Sequence, residues 1–269
     1  MTGMAGSLRL VVGLDGAGRC ALREQYCSQL HRVLQLIPGD VPQEGVLYVL
    51  NPTGGVVQGD RLDADIRVEA GAHAIVTTPS ATKIYRGDRF VAESCTRLRV
   101  AAGATLEFLP EPLIPYSGSR YAEHLRLDVE NGGRVLLWEI LAPGRAARGE
   151  LFDYEFLGLR LEAREGGAVV LRERADLRPS REPFPSLSLG GATHYGVLLA
   201  IGGDVQGLTD GIREDCGPLR AGVSTLRGTG LLVKAVAGGA SEIFGLFHRV
   251  RQRALSHWTG RPATPLRSI

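Results

Sequence analysis

"IRVEAGAHAIVTT" (66–78), "LRVAAGATLEFLP" (98–110), "LRLDVENGGRVLLWEI" (125–140) and "LRLEAREGGAVVLRE" (159–173) read as one unit written four times. Each opens on a short alternating run, turns on glycine and closes with a second apolar run of strand length. Aligned on Gly71, Gly103, Gly133 and Gly167, the units follow one another at spacings of 32, 30 and 34 residues. A unit of that size cannot bury its own apolar face, so neighbouring copies must stack. The expectation is a mainly β fold with a stacked β-helix-like body, a β-solenoid, over 8–180. Its rival is a sandwich of successive hairpins. Both are all-β to about residue 180.

After Pro179, Pro183 and Pro185, which mark a break or crossover, the pattern changes. "YGVLLAIGG" (195–203) and "GLLVKAVAGG" (230–239) read as strands, and "DVQGLTDGIREDCG" (204–217) as a short helix. "SEIFGLFHRVRQRALSHW" (241–258) has the helical period, with Ile243, Phe247, Val250 and Ala254 on one stripe. Ser241 is placed to cap it, Glu242 suits its positive end, and Arg249, Arg251 and Arg253 read as a solvated face. The expected organisation is one domain, 1–269, in which strands and two helices over 181–269 complete the stacked body.

Hydrophobic residues make up 44% and charged residues 22% of the 269, ordinary values for a globular chain with a sizeable core. The formal net charge of +2 is too small to mark a nucleic-acid or membrane surface. Cys20, Cys27, Cys95 and Cys216 form no C-x-x-C pair and read as reduced thiols. No apolar run approaches the ~20 residues that span a bilayer, and the start lacks the pattern of a secretory signal. A cytoplasmic location is expected.

"LYVLNPTGGVVQGDRLDADIRV" (47–68) looks at first like a phosphate loop. A P-loop needs Lys and Ser/Thr after its glycines, whereas Gly59 is followed by Asp60 and Arg61. The Gly-Gly after Asn51-Pro52 suits a tight reversal. No nucleophile elbow is present, and the six histidines have no metal-site spacing. "TTPSATKIYRG" (77–87) is a polar loop or, with Tyr85 and Arg86, a docking surface.

In a strand, residues two apart share a face. Counted from the turn glycines, Thr77, Glu107, Glu139 and Glu173 all fall at even offsets, and so on one face, among aliphatic neighbours. If they are enclosed, such carboxylates must be paired, hydrated or protonated. They would form a line of oxygen ligands suited to passing a divalent cation, with Asp60 and Arg61 at one end. The bland alternative is that this face meets solvent.

The ordered set "NPTGGVVQGDRL", "TTPSATKIYRG", "LEFLPEPLIPYSGSR" and "WEILAPGRAARGELF" closely resembles the UreD (UreH) family of urease accessory proteins, over most of the chain. The resemblance implies a non-enzymatic scaffold with a β-helical body and two helices. It implies partnership with the accessory proteins UreF and UreG, a GTPase, and docking on apo-urease. Nickel(II) is then carried transiently, with no tightly bound cofactor, and carbon dioxide enters at the same stage to carbamylate a urease lysine. The motif matches fall on Asp60 and Arg61, and on Thr77, Thr78, Thr82, Lys83, Tyr85 and Arg86. They continue at Glu107, Pro110 and Pro115, then at Glu139, Gly144, Arg145, Gly149 and Glu150. Gln58, Pro79-Ser80, "YCSQLHRVLQLIPG" and the C-terminal "RPATPLRSI" depart from the family pattern. The expected nickel path is Asp60, Glu107, Glu139 and Glu173. Arg61, Thr77, Thr78, Lys83, Tyr85, Arg86, Arg145 and Glu150 form the expected partner-facing motif. Two other readings are a β-solenoid enzyme on an acidic or sugar substrate, with Glu107 and Glu139 as acid and base, and a plain interaction module.

Overall fold

The computed structural model describes residues 3–179 and 190–266; Pro183 and Pro185 lie outside them. Two sheets face each other. The first contains β1 (Ala5–Leu14), β2 (Cys20–Cys27), β6 (Arg61–Val68), β9 (Ala92–Val100), β12 (Arg120–Val129), β14 (Phe156–Glu165) and β15 (Ala168–Leu177). Its order is β15-β14-β12-β9-β6-β1-β2. The second follows the path β17 (Arg220–Thr225), β18 (Leu231–Ala237), β16 (His194–Ile201), β13 (Arg134–Leu141), β10 (Thr105–Leu109), β7 (His73–Thr77), β5 (Glu44–Leu50), β3 (Arg32–Val33). The short β4 (Ile37–Pro38), β8 (Thr82–Ile84) and β11 (Leu113–Pro115) attach beside it.

The chain climbs between the sheets as a β-solenoid of about four turns. It passes from β6 to β7, returns through β8 to β9, crosses to β10 and returns through β11 to β12. Like strands stack in parallel: β6 on β9, β9 on β12, and β7 on β10, β10 on β13. The corners stack as well. Gly71 N–H donates to the Gly103 carbonyl at 3.2 Å, and Gly103 N–H to that of Gly132 at 3.1 Å. All three glycines have φ between 73° and 87°, a conformation that a side chain would strain.

Sequence pattern explains which face each sheet buries. The first sheet alternates, as in "RLDADIRV", with apolar side chains inward and charged ones in solvent. The second reads as near-continuous apolar runs such as "HAIVT", buried on both faces. Its outer face is covered by α2 (Ala240–Thr259), with α1 (Thr209–Cys216) beside it. Ile243, Leu246, Phe247, Val250 and Ala254 are all buried against Trp138, Leu136 and their neighbours. Each large apolar burial of this kind contributes ~1.5–3 kcal/mol.

Several expectations are corrected. The third unit aligns on Gly132 rather than Gly133, so Thr105 pairs with Arg134 and Glu107 with Leu136. The fourth unit is not a further rung, because β14 and β15 form an antiparallel hairpin within the first sheet. Ser241 does not cap α2: the N-cap is Gly239, without a side-chain bond, and Glu242 instead accepts the Gly238 N–H at 3.1 Å. Arg251 is not part of a solvated face but is 3% exposed.

Candidate functional site

A cavity of about 230 Å³ runs between the sheets, across the strands. Its wall on the first sheet is touched by β1, β6, β9, β12, β14 and β15 in turn, through Leu8, Ala64, Thr96, Glu123, Leu161 and Glu173. Neighbouring strands are ~4.8 Å apart, so six of them extend the space over about 24 Å. The space therefore follows the solenoid axis and is partly open to solvent.

Its polar centre is a pair of acids from facing strands. Glu139 lies on β13 and Glu123 on β12, the two strands joined by the Gly132 corner, and their carboxyl groups hydrogen-bond each other. Tyr121 donates its hydroxyl to Glu123 at 3.1 Å. Both acids are half-buried because they face the cavity, although protein surrounds them. Burial and then the neighbouring Glu123 charge hold Glu139 well above the usual carboxylate range; burial also raises Glu123. Both shifts favour the protonated form, so the pair tends to share a proton. Glu173 adds a further negative charge that Glu139 feels, and it pairs with Lys234 at 2.7 Å. Arg160 and Arg174 line the same end.

The remaining residues of the expected path lie elsewhere. Glu107 faces away from the cavity because a one-residue shift in strand register exchanges faces. It is 0% exposed, bonded to the Arg251 guanidinium and to His73 Nε2 at 2.7 Å. His73 Nδ1 meets Glu44 at 3.1 Å, and Arg251 Nη1 donates to the Thr264 carbonyl at 2.8 Å. This network ties helix and C-terminal segment to the sheet. Burial opposes the imidazolium of His73, but its two carboxylates prevail and raise it to about 9; Glu44 is brought down to about 2 by His73 and Thr264 against burial. Asp60, 2% exposed, caps a turn by accepting the N–H groups of Met4 at 2.9 Å and Val57 at 3.0 Å. Arg61 is exposed and pairs with Glu93 at 3.0 Å.

The polar motif residues gather where the chain returns to the first sheet. Tyr85 packs edge-on against Tyr116 at 5.2 Å, and Arg145 lies over the Tyr116 ring at 4.3 Å. Glu150 holds Arg145 through Nε at 2.7 Å. Arg86 stays exposed beside Asp88, and Lys83 uses its carbonyl to accept the Val56 N–H. Thr77 donates to the Leu109 carbonyl at 2.6 Å, and Thr78 to that of Ser80 at 3.1 Å.

Sequence reasoning missed Glu123, Tyr121 and His31. In "RYAEHLRLDV" Tyr121 and Glu123 share the parity of buried Leu125 and Leu127, which was a usable signal. His31 has none. Its ring lines the cavity beside Leu30 and it is 8% exposed; its Nε2 has no hydrogen-bond partner. Burial lowers its pKa, which the charge of Asp63 partly offsets. Among the described residues no three His, Cys, Asp or Glu side chains group closely enough to hold a metal ion. No helix there is long and apolar enough to cross a membrane.

Fold and site together define a β-solenoid body around a mostly apolar internal cavity with a pair of acids at its centre, its outer sheet face covered by a helix. The chain belongs to the UreD urease accessory protein family, whose model matches residues 4–268. It is similar to the urease accessory protein UreD of Opitutus terrae, 36% identical over 201 residues, covering 71% of this chain and 72% of that one. UreD of Actinomyces naeslundii is 29% identical over 266 residues, 97% of this chain and 98% of its own. UreD of Pseudomonas putida (strain W619) reaches 46% over 128 residues, 48% of this chain and 46% of its own.

Proposed function

We propose that this chain is a non-enzymatic carrier scaffold for urease maturation in the cytoplasm, acting with UreF and the GTPase UreG on apo-urease. Nickel(II) is its cargo and passes through the body without a resident site. The observation that carries this reading is the passage itself: about 230 Å³ drawn out across six strands, with Glu123, Glu139 and Glu173 along its wall. Nickel accepts oxygen and imidazole ligands. Carboxylates that share a proton and are not grouped as a cage hold such an ion loosely and release it onward.

The loop edge carrying Tyr85, Tyr116, Arg145 and Glu150 is the surface we assign to partner contact. Tyr and Arg are favoured in contact centres, and the Tyr116–Arg145–Glu150 stack is already ordered, so little side-chain entropy is lost on docking. An acid–base enzyme using Glu107 and Glu139 is disfavoured, because these side chains occupy opposite faces of the second sheet and cannot flank one substrate. The deciding test is nickel loading of apo-urease by the complex, with this chain wild type, Glu139→Ala or Glu173→Ala. The carrier reading expects normal assembly with less nickel per urease site. Normal loading by both variants in an assembled complex would leave a plain interaction module.

A further inference from the structure

One cavity-wall group is not explained by packing. His31 sits between β2 and β3, where Leu8 and Leu62 also line the space, at the opposite end from Glu173. Its Nε2 is enclosed and without a partner, although the residue is more than nine-tenths buried. Orphaned polar atoms of this kind are rare in folded interiors, and each calls for a cause. A histidine kept for packing alone would be matched by an acceptor or donor, as His73 is by Glu44 and Glu107.

We propose that His31 is a nitrogen ligand for the divalent cation moving through this passage, and the group that favours nickel over magnesium or calcium. The inference rests on the carrier reading above and adds the source of its selectivity. Carboxylates alone accept hard cations at least as readily as nickel; imidazole suits nickel and does not suit magnesium or calcium. In the Nδ1–H tautomer Nε2 presents a lone pair that no protein donor uses, on a residue that lines the cavity. A single imidazole, with waters completing the shell, delays the ion without trapping it. Passage then runs between one nitrogen station near β1 and the acid pair near β13, so that the discriminating ligand and the charged ligands are separate.

The test uses the full-length chain with its histidines labelled with nitrogen-15, titrated with nickel(II) chloride and followed by paramagnetic broadening of the ring signals. Exposed His257 serves as the surface reference. His31 is expected to broaden at lower nickel than His257, and excess magnesium chloride should not restore it. In reconstitution with UreF, UreG and apo-urease, His31→Gln should load several-fold less nickel when magnesium is in excess, and lose little without it. A His31 signal that stays sharp while His257 broadens overturns the inference, and this measurement needs no variant to fold. Unchanged selectivity in an assembled His31→Gln complex overturns it too, where Glu139→Gln in the same assay does reduce loading. Silence of both variants removes the carrier reading and this inference with it.

Discussion

Glu139→Gln is expected to make the protein more stable and a poorer nickel carrier at once. Glutamine keeps the shape and can still donate to Glu123, so the cavity wall is preserved and only the titrating proton is lost. In the native chain, burial and Glu123 hold the Glu139 proton, whereas the unfolded chain releases it near 4.5. A folded value raised above the unfolded one means stability that is complete below about pH 4.5 and falls as pH rises towards the folded value. One extra bound proton sets that slope at about 1.4 kcal/mol per pH unit. The wild type loses stability at up to that rate above about pH 4.5, and the glutamine variant does not. That figure is a ceiling, because Glu123 shares the proton and cavity water softens the burial. Urea unfolding of both proteins from about pH 5 to about pH 8 measures it: the gap in unfolding free energy should widen with pH. Parallel curves would refute the reasoning, since Glu139 would then ionise as freely in the folded chain as in the unfolded one. Reduced nickel loading by a variant of higher stability would assign the loss to charge rather than to packing.

Arg251→Met removes the cation from Glu107 and leaves a fully buried carboxylate sharing one imidazolium with Glu44; a cost of about 3–5 kcal/mol is expected in urea unfolding. The double variant Glu107→Leu/Arg251→Met should recover most of it, and a double variant as unstable as the single would contradict the pairing. His73 is raised to about 9, so its contribution is complete below about pH 6.5 and lost as pH rises through 9; Glu44, lowered to about 2, contributes above about 4.5 and loses it as pH falls through 2. The deficit of His73→Asn against wild type should thus be greatest between about pH 4.5 and 6.5, and a flat deficit across that range and up to pH 10 would rule the network out. Asp60→Ala frees two backbone N–H groups and is expected to cost ~1.5–3 kcal/mol without changing nickel loading of an assembled complex. A loading defect at unchanged stability would put Asp60 back on the ion path.

What the sequence made legible, and what it hid, separates at the two glycines of "ENGGR". Strand alternation and recurring glycine corners are local signals, and they were enough for a stacked β body. Which glycine sits over Gly103 is not local: it is decided by the Gly103 N–H bond to Gly132. Choosing Gly133 moves the third rung by one residue and puts Glu107 and Glu139 on one face, whereas the folded sheet separates them. Arg251 was obscured for a related reason, since its partner Glu107 is 144 residues away and its neighbours Arg249 and Arg253 look like solvated charges. The acid pair follows from a different rule. Residues roughly equidistant from a tight corner face each other across the interior, so Glu123 and Glu139 meet over the Gly132 turn. Along the first sheet Glu123 pairs with Ser94 on one side and Leu159 on the other, and Ser94 with Leu62. The polar stretch of that rung is thus confined to two central turns and bounded by leucine at either end. An ion that follows this row from the β6 end would pass leucine before reaching the Glu123–Glu139 pair, whereas from the β15 end it would meet Glu173 first, so the two ends of the cavity differ in charge.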